Sequence, residues 1–311
     1  MIARNAESTI GAAVESVLGQ TMTQFEFLVY DDASEDETAA RIEAYKDPRI
    51  RLIRGSAHQG IPAARNILLR EARGNYVAWL DADDLAFPQR LERQWNYLEE
   101  HSETDLLFSW IAVRNGSVPV VKMPANRQLL HAWLMFRNPF AHSSLMARNF
   151  FAVEGLFYDE TMVRAQDYEL YLRLATVKQF DLIPEILVSY DARSGAAEQM
   201  ALPFLPKLLN RNLEAAGVAL NQEELTVFLN FLRLNKLLHR EASCLVCRVL
   251  NDLSAVHWPI PSSASDQRHL LLRQWFRLMH LATGSSKRAA LWNVLMAGPM
   301  GWWGLWWKRV R

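Results

Sequence analysis

Short apolar segments alternate with amphipathic segments through the first half of this chain, and this alternation constrains the fold more than any other sequence feature. Short apolar runs bounded by polar clusters predict buried strands at residues 25–30, 49–53, 75–80, 105–113 and 181–189. Apolar residues at the helical period predict helices at residues 7–18, 36–45, 61–72, 89–100 and 166–176. This order of strands and helices predicts an α/β three-layer sandwich with a mostly parallel sheet.

The strand that normally precedes the first helix of such a sandwich is not visible in the sequence. The helix predicted at residues 7–18 starts almost at Met1. We therefore predict that the N-terminal strand is missing, either because the true start lies roughly ten residues upstream, the length of one strand and its turn, or because this is a truncated copy.

Strand signals stop near residue 200, and helices are predicted beyond it, at residues 205–215, 222–238, 243–256 and 265–282. We expect an α/β domain over residues 1–200 and an α-helical C-terminal region over residues 201–311. Half of the residues are hydrophobic and 22% are charged. This composition excludes global disorder and provides for a sizeable core.

The chain has two cysteines, Cys244 and Cys247, which are too few for a disulfide framework. Their spacing allows a redox or zinc role, but no second pair completes a zinc site, and the neighbouring residues favour one face of a buried helix. This cysteine usage is typical of a reducing compartment. We expect a cytoplasmic protein without a signal peptide, because the chain opens in a polar, helix-like pattern.

Two adjacent carboxylates, Asp31 and Asp32, follow the strand predicted at residues 25–30. Like charges at the end of an apolar run are unfavourable unless they have partners. A carboxylate here could accept a hydrogen bond from N3–H of a uracil-type base. The acids at 31–36 could equally serve the N-terminus of the following helix, and the residues leave both interpretations open.

Three acids in four residues, Asp81, Asp83 and Asp84, follow the strand predicted at residues 75–80. Ligands of α/β sheets bind beyond the carboxyl ends of the strands, where both acidic clusters fall. Mg²⁺ and Mn²⁺ prefer oxygen ligands, and one or two carboxylates suffice when a diphosphate supplies the others. A lone Asp-x-Asp is common in loops, but its position here strengthens the signal. Asp84 could instead cap the helix at 89–100.

A further acid, Asp167, lies at the start of the helix predicted at residues 166–176. A carboxylate at this place could act as a general base that takes the proton of an attacking hydroxyl group. The helix dipole favours its ionised form, which suits a base. Aspartate is also common in the first turn of any helix, so the position alone does not decide its role.

Several segments together resemble the family 2 glycosyltransferases of GT-A fold, over about residues 3–190. They are residues 3–7, 16–21, 60–66 and 72–76 and the run FEFLVYDDASEDET. The resemblance implies a Rossmann-like GT-A fold and an inverting single displacement. It also implies transfer of a sugar from a UDP- or dTDP-linked donor to a hydroxyl group of a glycan or lipid-linked acceptor.

The resemblance implies roles for individual residues on the donor side. Asp32 is expected to bind the nucleoside base, and Asn5 and Arg65 are expected to contact the nucleotide. Arg65 and its neighbour at 66 match the helix start on the nucleotide side. Asp81 is expected to contact both the nucleotide and a Mg²⁺ or Mn²⁺ ion. Asp83 is expected to be the direct ligand of that ion.

On the acceptor side, the resemblance implies that Asp167 is the catalytic base. His142 falls where the family often has an acceptor-side histidine, although a lone histidine is more often structural. Two departures from the family pattern stand out. Gln166 replaces the usual glutamate before the base, and the segment around Asp191 lacks the histidine often found there, which leaves a further metal or phosphate ligand unassigned.

Two other functions remain open at this level. A chain with a damaged nucleotide half could be a non-catalytic GT-A-like binding or assembly module. Measuring metal-dependent UDP binding would separate this module from an enzyme. A nucleotidyltransferase would share fold and metal use. It would also need a glycine-rich phosphate loop with a basic residue near the N-terminus, which the sequence does not contain.

Charge is distributed unevenly along the chain. All 34 acidic residues lie at or before Asp266, and the residues beyond it carry eight lysines and arginines. Residues 289–307 contain one polar side chain, Asn293, and five of the 11 tryptophans. Tryptophan and cations favour the headgroup zone of a membrane, whereas the glycines and the proline of this segment interrupt a spanning helix.

We therefore expect residues 285–311 to dock on the inner leaflet of the cytoplasmic membrane, which would make the protein peripheral. A core-packing or partner helix and a membrane span are the alternatives. Nucleic acid is not expected as a partner, because the basic residues do not follow one readable helix face.

Membrane docking predicts that the full-length chain floats with anionic lipid vesicles in a density gradient, whereas a chain ending at Thr283 stays at the bottom. Raising the salt concentration should reduce flotation, because exposed charges are screened. Equal flotation of the two chains would contradict a role of the tail.

Overall fold

The computed structural model describes residues 1–115, 120–122, 130, 133–134, 136, 138–192, 204–234, 245–246, 248–250 and 252–253. The chain divides into two compact units, Met1–Phe204 and Leu205–Arg311. The Cys244–Cys247 pair, the predicted helix at 265–282 and the tail at 285–311 lie outside the described residues, as does half of the predicted helix at 243–256.

The first unit contains nine described strands. They are β1 (Ile2–Ala3), β2 (Phe27–Asp31), β3 (Ile50–Arg54), β4 (Tyr76–Ala78), β5 (Leu85–Ala86), β6 (Leu106–Arg114), β7 (Val120–Val121), β8 (Met146–Arg148) and β9 (Phe180–Asp191). The described helices of the chain are α1 (Ile10–Leu18), α2 (Thr38–Ala44), α3 (Ile61–Glu71), α4 (Arg90–Glu100), α5 (Phe151–Glu154), α6 (Gln166–Leu174), α7 (Leu205–Ala215) and α8 (Gln222–Leu234). A 3₁₀ turn spans His142–Ser144. The α/β class is therefore confirmed.

The strands form two sheets rather than the single, mostly parallel sheet that was predicted. Strands β1, β2 and β3 form a parallel sheet in that order. The second sheet has the order β4-β8-β6-β9-β5, with β7 beside β6. Within it β6 and β9 run parallel, and the other pairs run antiparallel. The antiparallel members β5, β7 and β8 have two or three residues, too few to show a sequence period.

The prediction that the opening strand is missing is wrong in part. Residues Ile2 and Ala3 form a two-residue strand whose partners in β2 are Tyr30 and Asp31. The backbone N–H groups of Tyr30 and Asp32 donate to the carbonyl oxygens of Met1 and Ala3, at 3.0 and 2.9 Å. This strand is invisible in the sequence because alternation cannot be recognised in two residues.

A hydrophobic core joins helix α1 to strands of both sheets. Helix α1 buries Ile10, Ala13, Val14 and Val17, one face at the helical spacing. This face belongs to the same cluster as Val29 of β2 and Val188 of β9. Each fully buried aliphatic side chain stabilises the fold by about 1.5–3 kcal/mol. The core therefore holds the two sheets in one unit.

Buried Arg90, at the start of α4, holds the end of β4 beside β8. Its Nη2 donates to the carbonyl oxygens of Trp79 and Leu145, at 2.7 and 3.1 Å, and its Nε donates to Gln94 at 3.0 Å. These bonds satisfy polar groups that burial would otherwise leave without partners. Because Trp79 is two residues before Asp81, Arg90 also sets the start of the acidic loop.

The described part of the second unit is helical. Helix α7 has the predicted bounds, and α8 starts where it was predicted. No helix among the described residues is both long enough and apolar enough to span a bilayer.

Candidate functional site

The loop after β4 is held by one of its own acids. Asp84 is fully buried. Its carboxylate accepts hydrogen bonds from the Ser143 hydroxyl and, at 2.7 Å, from the Asp191 backbone N–H. Burial, reinforced by the charge on Asp81, raises the pKa of Asp84 to about 7. The alternative that Asp84 caps the next helix is wrong, because α4 starts at Arg90 after Gln89.

The other two acids of this loop are Asp81 and Asp83, and Asp83 interacts electrostatically with Asp191 at the end of β9. Burial raises the pKa of Asp83, and the charges on Asp81 and Asp191 raise it further. The Asp83 carbonyl oxygen accepts a hydrogen bond from Arg114 at 2.6 Å, which orients the loop backbone. The Asp81 side chain is 37% exposed. Two carboxylates that repel each other and reach solvent would fit a divalent cation, which offsets that repulsion.

Among the described residues, no group of three or more histidine, cysteine, aspartate or glutamate side chains has the geometry of a metal site. The Asp81–Asp83 pair therefore fits a cation only if other oxygen ligands complete its coordination. Mg²⁺ is often bound in this way, by one or two carboxylates together with the phosphates of a substrate.

The guanidinium of Arg65, from α3, lies beside this loop and is only 4% exposed. It lies over the rings of Trp79 and Tyr158, with its Cζ 5.7 and 5.4 Å from their centroids. Its Nη2 is 3.3 Å from Asp81 Oδ1. Its Nε and Nη1 are buried and have no hydrogen-bond partner in the structure described. Since buried donors are nearly always satisfied in proteins, these two N–H groups suit a ligand.

The neighbour of Arg65 explains how the guanidinium is positioned. The Asn66 side chain accepts from the Tyr158 N–H at 2.9 Å and donates to the Tyr158 carbonyl at 3.0 Å and to Glu160 at 2.9 Å. It thereby holds the Tyr158 ring over Arg65. A direct nucleotide contact by Asn66 is not supported, because its amide is buried and bonded within the protein.

The predicted base, Asp167, is the second residue of α6. Its Oδ1 accepts from the Tyr168 N–H at 2.8 Å, and its Oδ2 accepts from the Asn138 side chain at 2.9 Å. Burial raises its pKa, and the Arg65 charge opposes that rise. Desolvation therefore acts against the helix start, which favours the ionised form of Asp167. Electrostatic interactions join Asp167, Arg65 and Asp81.

Asp32 is buried beside the N-terminal end of α3. Its Oδ1 accepts from the Gln59 N–H at 2.6 Å, and its Oδ2 accepts from the Gly60 N–H at 3.0 Å and lies 2.7 Å from His58 Nδ1. Gly60 precedes α3 with φ of 86°, a conformation that glycine adopts without strain. Asp32 therefore stabilises the start of α3. Of the acids that the sequence offered for the start of α2, Asp36 bonds there, because its Oδ1 accepts from the Thr38 N–H at 3.0 Å.

Asn5 connects the loops that follow β1 and β2. Its backbone N–H donates to Ser34 Oγ at 3.0 Å, and its Oδ1 accepts from the Glu35 N–H at 2.9 Å. The residue is exposed and has φ of 48°. The contacts of Asn5 and Asp32 thus lie around the ends of β1 and β2, whereas Asp81, Arg65 and Asp167 interact with one another.

His142 lies in the interior. Its Nδ1 is 2.8 Å from the Tyr171 hydroxyl, and its Nε2 is 3.3 Å from the Tyr158 hydroxyl. Burial keeps the pKa of His142 well below its usual range, so the ring is neutral. Both nitrogens face tyrosine hydroxyls, which favours the structural role of His142, and its contact with an acceptor stays a prediction.

Three residues at this site were not found from the sequence. Trp79 lies inside the strand predicted at residues 75–80, and Tyr158 and Asn138 lie outside the predicted strands and helices, so no motif marked them. A cavity of about 740 Å³ lies elsewhere, between β2, β4 and α4. None of the predicted site residues lines it.

Comparison with known proteins identifies relatives of this chain. The sequence model of glycosyl transferase family 2 matches residues 1–157. An uncharacterized glycosyltransferase of Methanocaldococcus jannaschii is 34% identical over 192 residues, which are 59% of this chain and 66% of that protein. The UDP-Glc:alpha-D-GlcNAc-diphosphoundecaprenol beta-1,3-glucosyltransferase WfgD of Escherichia coli is 35% identical over 114 residues, 37% of this chain and 45% of WfgD. The chain thus spans just under two thirds of the first relative and less than half of the second.

The fold is also found among solved structures. Residues 1–349 of S. aureus TarS in complex with UDP-GlcNAc superpose with a TM-score of 0.60 at 16% identity, covering 96% of this chain and 91% of that one. At this identity the likeness shows the GT-A fold alone.

The two interpretations of Asp32 make different predictions for Asp32→Ala. If the carboxylate stabilises the start of α3, the free energy of unfolding in urea should fall by about 1–3 kcal/mol, because two N–H groups lose a charged acceptor. Removing the exposed carboxylate of Glu35 should change it much less. Unchanged stability with a weakened affinity for UDP would instead assign Asp32 to the nucleoside alone.

Proposed function

Since this chain belongs to glycosyl transferase family 2, we propose that it transfers a sugar from a nucleoside diphosphate sugar to a hydroxyl group, with inversion at the anomeric carbon. A UDP- or dTDP-linked donor and a glycan or lipid-linked acceptor are the proposed substrates. The name of WfgD supports a UDP-sugar donor and a lipid-linked acceptor, and the ligand of TarS supports a UDP-sugar.

The buried, incompletely bonded guanidinium of Arg65 is the observation that carries this proposal. Nε and Nη1 lie on different edges of the guanidinium, so each can donate its own charge-assisted hydrogen bond to a phosphate oxygen. Trp79 and Tyr158 cover the guanidinium and limit its movement. A diphosphate bound there would satisfy both N–H groups and gain a charge-assisted contact away from bulk water.

A Mg²⁺ or Mn²⁺ ion fits the same place. Asp83 would be the direct protein ligand and Asp81 a second ligand that also pairs with Arg65. When bound, the ion would neutralise charge that develops on the departing nucleoside diphosphate. Arg65 would add a fixed positive charge on the same leaving group.

Asp167 is the proposed general base. The acceptor oxygen forms a bond to the anomeric carbon while the bond from that carbon to the diphosphate oxygen breaks, and the acceptor proton passes to Asp167. One displacement inverts the configuration. The raised pKa of Asp167 makes its carboxylate a stronger base, provided that the pH keeps it ionised. Activity should therefore fall as the pH drops through this pKa.

We propose that the nucleoside end of the donor binds at Asn5 and Asp32. Asp32 already accepts bonds from the loop at 58–60, yet a carboxylate has about four acceptor sites, so a base N–H can still be accommodated. We place the enzyme in the cytoplasm, with residues 285–311 bringing it to lipid-linked acceptors at the inner leaflet.

Arg65→Met should weaken UDP binding roughly tenfold to hundredfold, because a charge-assisted contact with the diphosphate is lost. Calorimetric titration with UDP and Mn²⁺ measures this. Arg70→Met is the matched control, because Arg70 is on the same helix and lies over Phe157, 4.7 Å from the ring centroid. Equal affinities for both variants would contradict a phosphate contact by Arg65.

Two further substitutions separate binding from chemistry. Asp83→Ala should abolish the metal-dependent release of UDP from UDP-sugars. Asp167→Asn should reduce turnover about 10²- to 10⁴-fold while UDP affinity stays near that of the wild type. Full turnover by Asp167→Asn would refute the base assignment. UDP binding without turnover of any UDP- or dTDP-sugar by the unaltered chain would support a non-catalytic module.

A further inference from the structure

We propose that Asn138 is a positioning residue that orients the Asp167 carboxylate and favours its ionised form. This inference rests on the proposed role of Asp167 as the general base. It starts from the 2.9 Å hydrogen bond between Asn138 Nδ2 and Asp167 Oδ2.

The orientation of the Asn138 amide is determined by its other end. Asn138 Oδ1 accepts a hydrogen bond from the Phe140 backbone N–H at 3.0 Å. An N–H group needs an acceptor, so the amide oxygen must face Phe140 and the NH₂ group must face Asp167. The two bonds thus require the same amide orientation.

The segment that carries Asn138 is anchored on the same helix as the base. Phe140 stacks on Phe108 with ring centroids 3.8 Å apart, and it packs edge-on against Tyr171 of α6 at 5.9 Å. Tyr171 is four residues after Asp167, so the anchor and the base share one helix face. The Tyr168 hydroxyl also donates to the Leu134 carbonyl at 2.7 Å. These contacts place the Asn138 donor independently of any ligand.

The hydrogen bond between Asn138 and Asp167 matters because the charges near Asp167 act in opposite directions on its ionisation. Arg65 from α3 is the cation that favours ionisation, whereas Asp81 from the loop after β4 opposes it. The hydroxyl-bearing rings that interact with it electrostatically are Tyr158 and Tyr171. An N–H donor to one oxygen stabilises the anion more than the acid. It also directs the remaining lone pair of Oδ2 away from Asn138.

Asn138→Asp tests this with a minimal change. The new side chain keeps its shape and an oxygen for the Phe140 N–H, but it presents an oxygen to Asp167 in place of the amide donor. Two neighbouring carboxylates then compete for one proton. The acid limb of the pH profile for UDP release from UDP-glucose or UDP-GlcNAc with Mn²⁺ should move up by at least about one pH unit.

Two more variants complete the design. Asn138→Ala should move the same limb in the same direction by a smaller amount, since it removes the donor without adding a charge. Asn96→Asp is the matched control, because Asn96 is exposed on α4 and the change in net charge is the same. Its profile should match the wild type.

A titration that needs no activity accompanies the kinetics. In the full-length protein, the ¹³C signal of the Asp167 carboxyl group, assigned by its loss in Asp167→Asn, should titrate at higher pH in Asn138→Ala than in the wild type. An unchanged midpoint would overturn the proposal. If Asp167→Asn retained turnover, the base assignment would fail, and this inference with it. If Asp167→Asn were inactive while Asn138→Asp kept the wild-type profile, only the role of Asn138 would be refuted.

Discussion

One buried positive charge among several carboxylates organises the end of β4 and the start of α6. Arg65 pairs with Asp81 and interacts electrostatically with Asp167, while aromatic rings on two sides exclude water from its guanidinium. In such surroundings, carboxylates without a cation would become protonated or move apart, because desolvation and mutual repulsion both oppose their ionisation. The geometry of the proposed donor site therefore depends on keeping this guanidinium in place.

The groups around Arg65 are held by hydrogen bonds within the protein. Asn66 fixes the backbone of Tyr158, His142 lies between two tyrosine hydroxyls, and Arg90 binds two carbonyl oxygens at the strand ends. Satisfied buried networks rigidify their surroundings, and rigid surroundings are what a preorganised site requires. The free donors at Arg65 thus lie beside side chains, such as those of Asn66 and His142, whose polar groups bond within the protein.

The acids of this region have different roles because their environments differ. Asp84 is enclosed and bonded to Ser143 and Asp191, so it fixes the loop. Asp81, in the same loop, reaches solvent and Arg65. Asp167 is desolvated, but it has a nearby cation and two N–H donors. Environment distinguishes a structural carboxylate from one suited to chemistry, and here that difference arises within four residues of the chain.

The sequence by itself determined the α/β class, the family and most of the helix and strand positions, because hydrophobic periodicity and clustered motifs are local properties. It also indicated Asp81, Asp83, Asp167 and Arg65, which follow strands or lie in the early turns of helices. Only the tertiary structure decided that the strands divide between two sheets, that Asp32 stabilises the start of α3, that His142 is enclosed by tyrosines and that Asn138 meets Asp167. These outcomes depend on contacts between residues far apart in the chain, for which a single sequence carries no local signal.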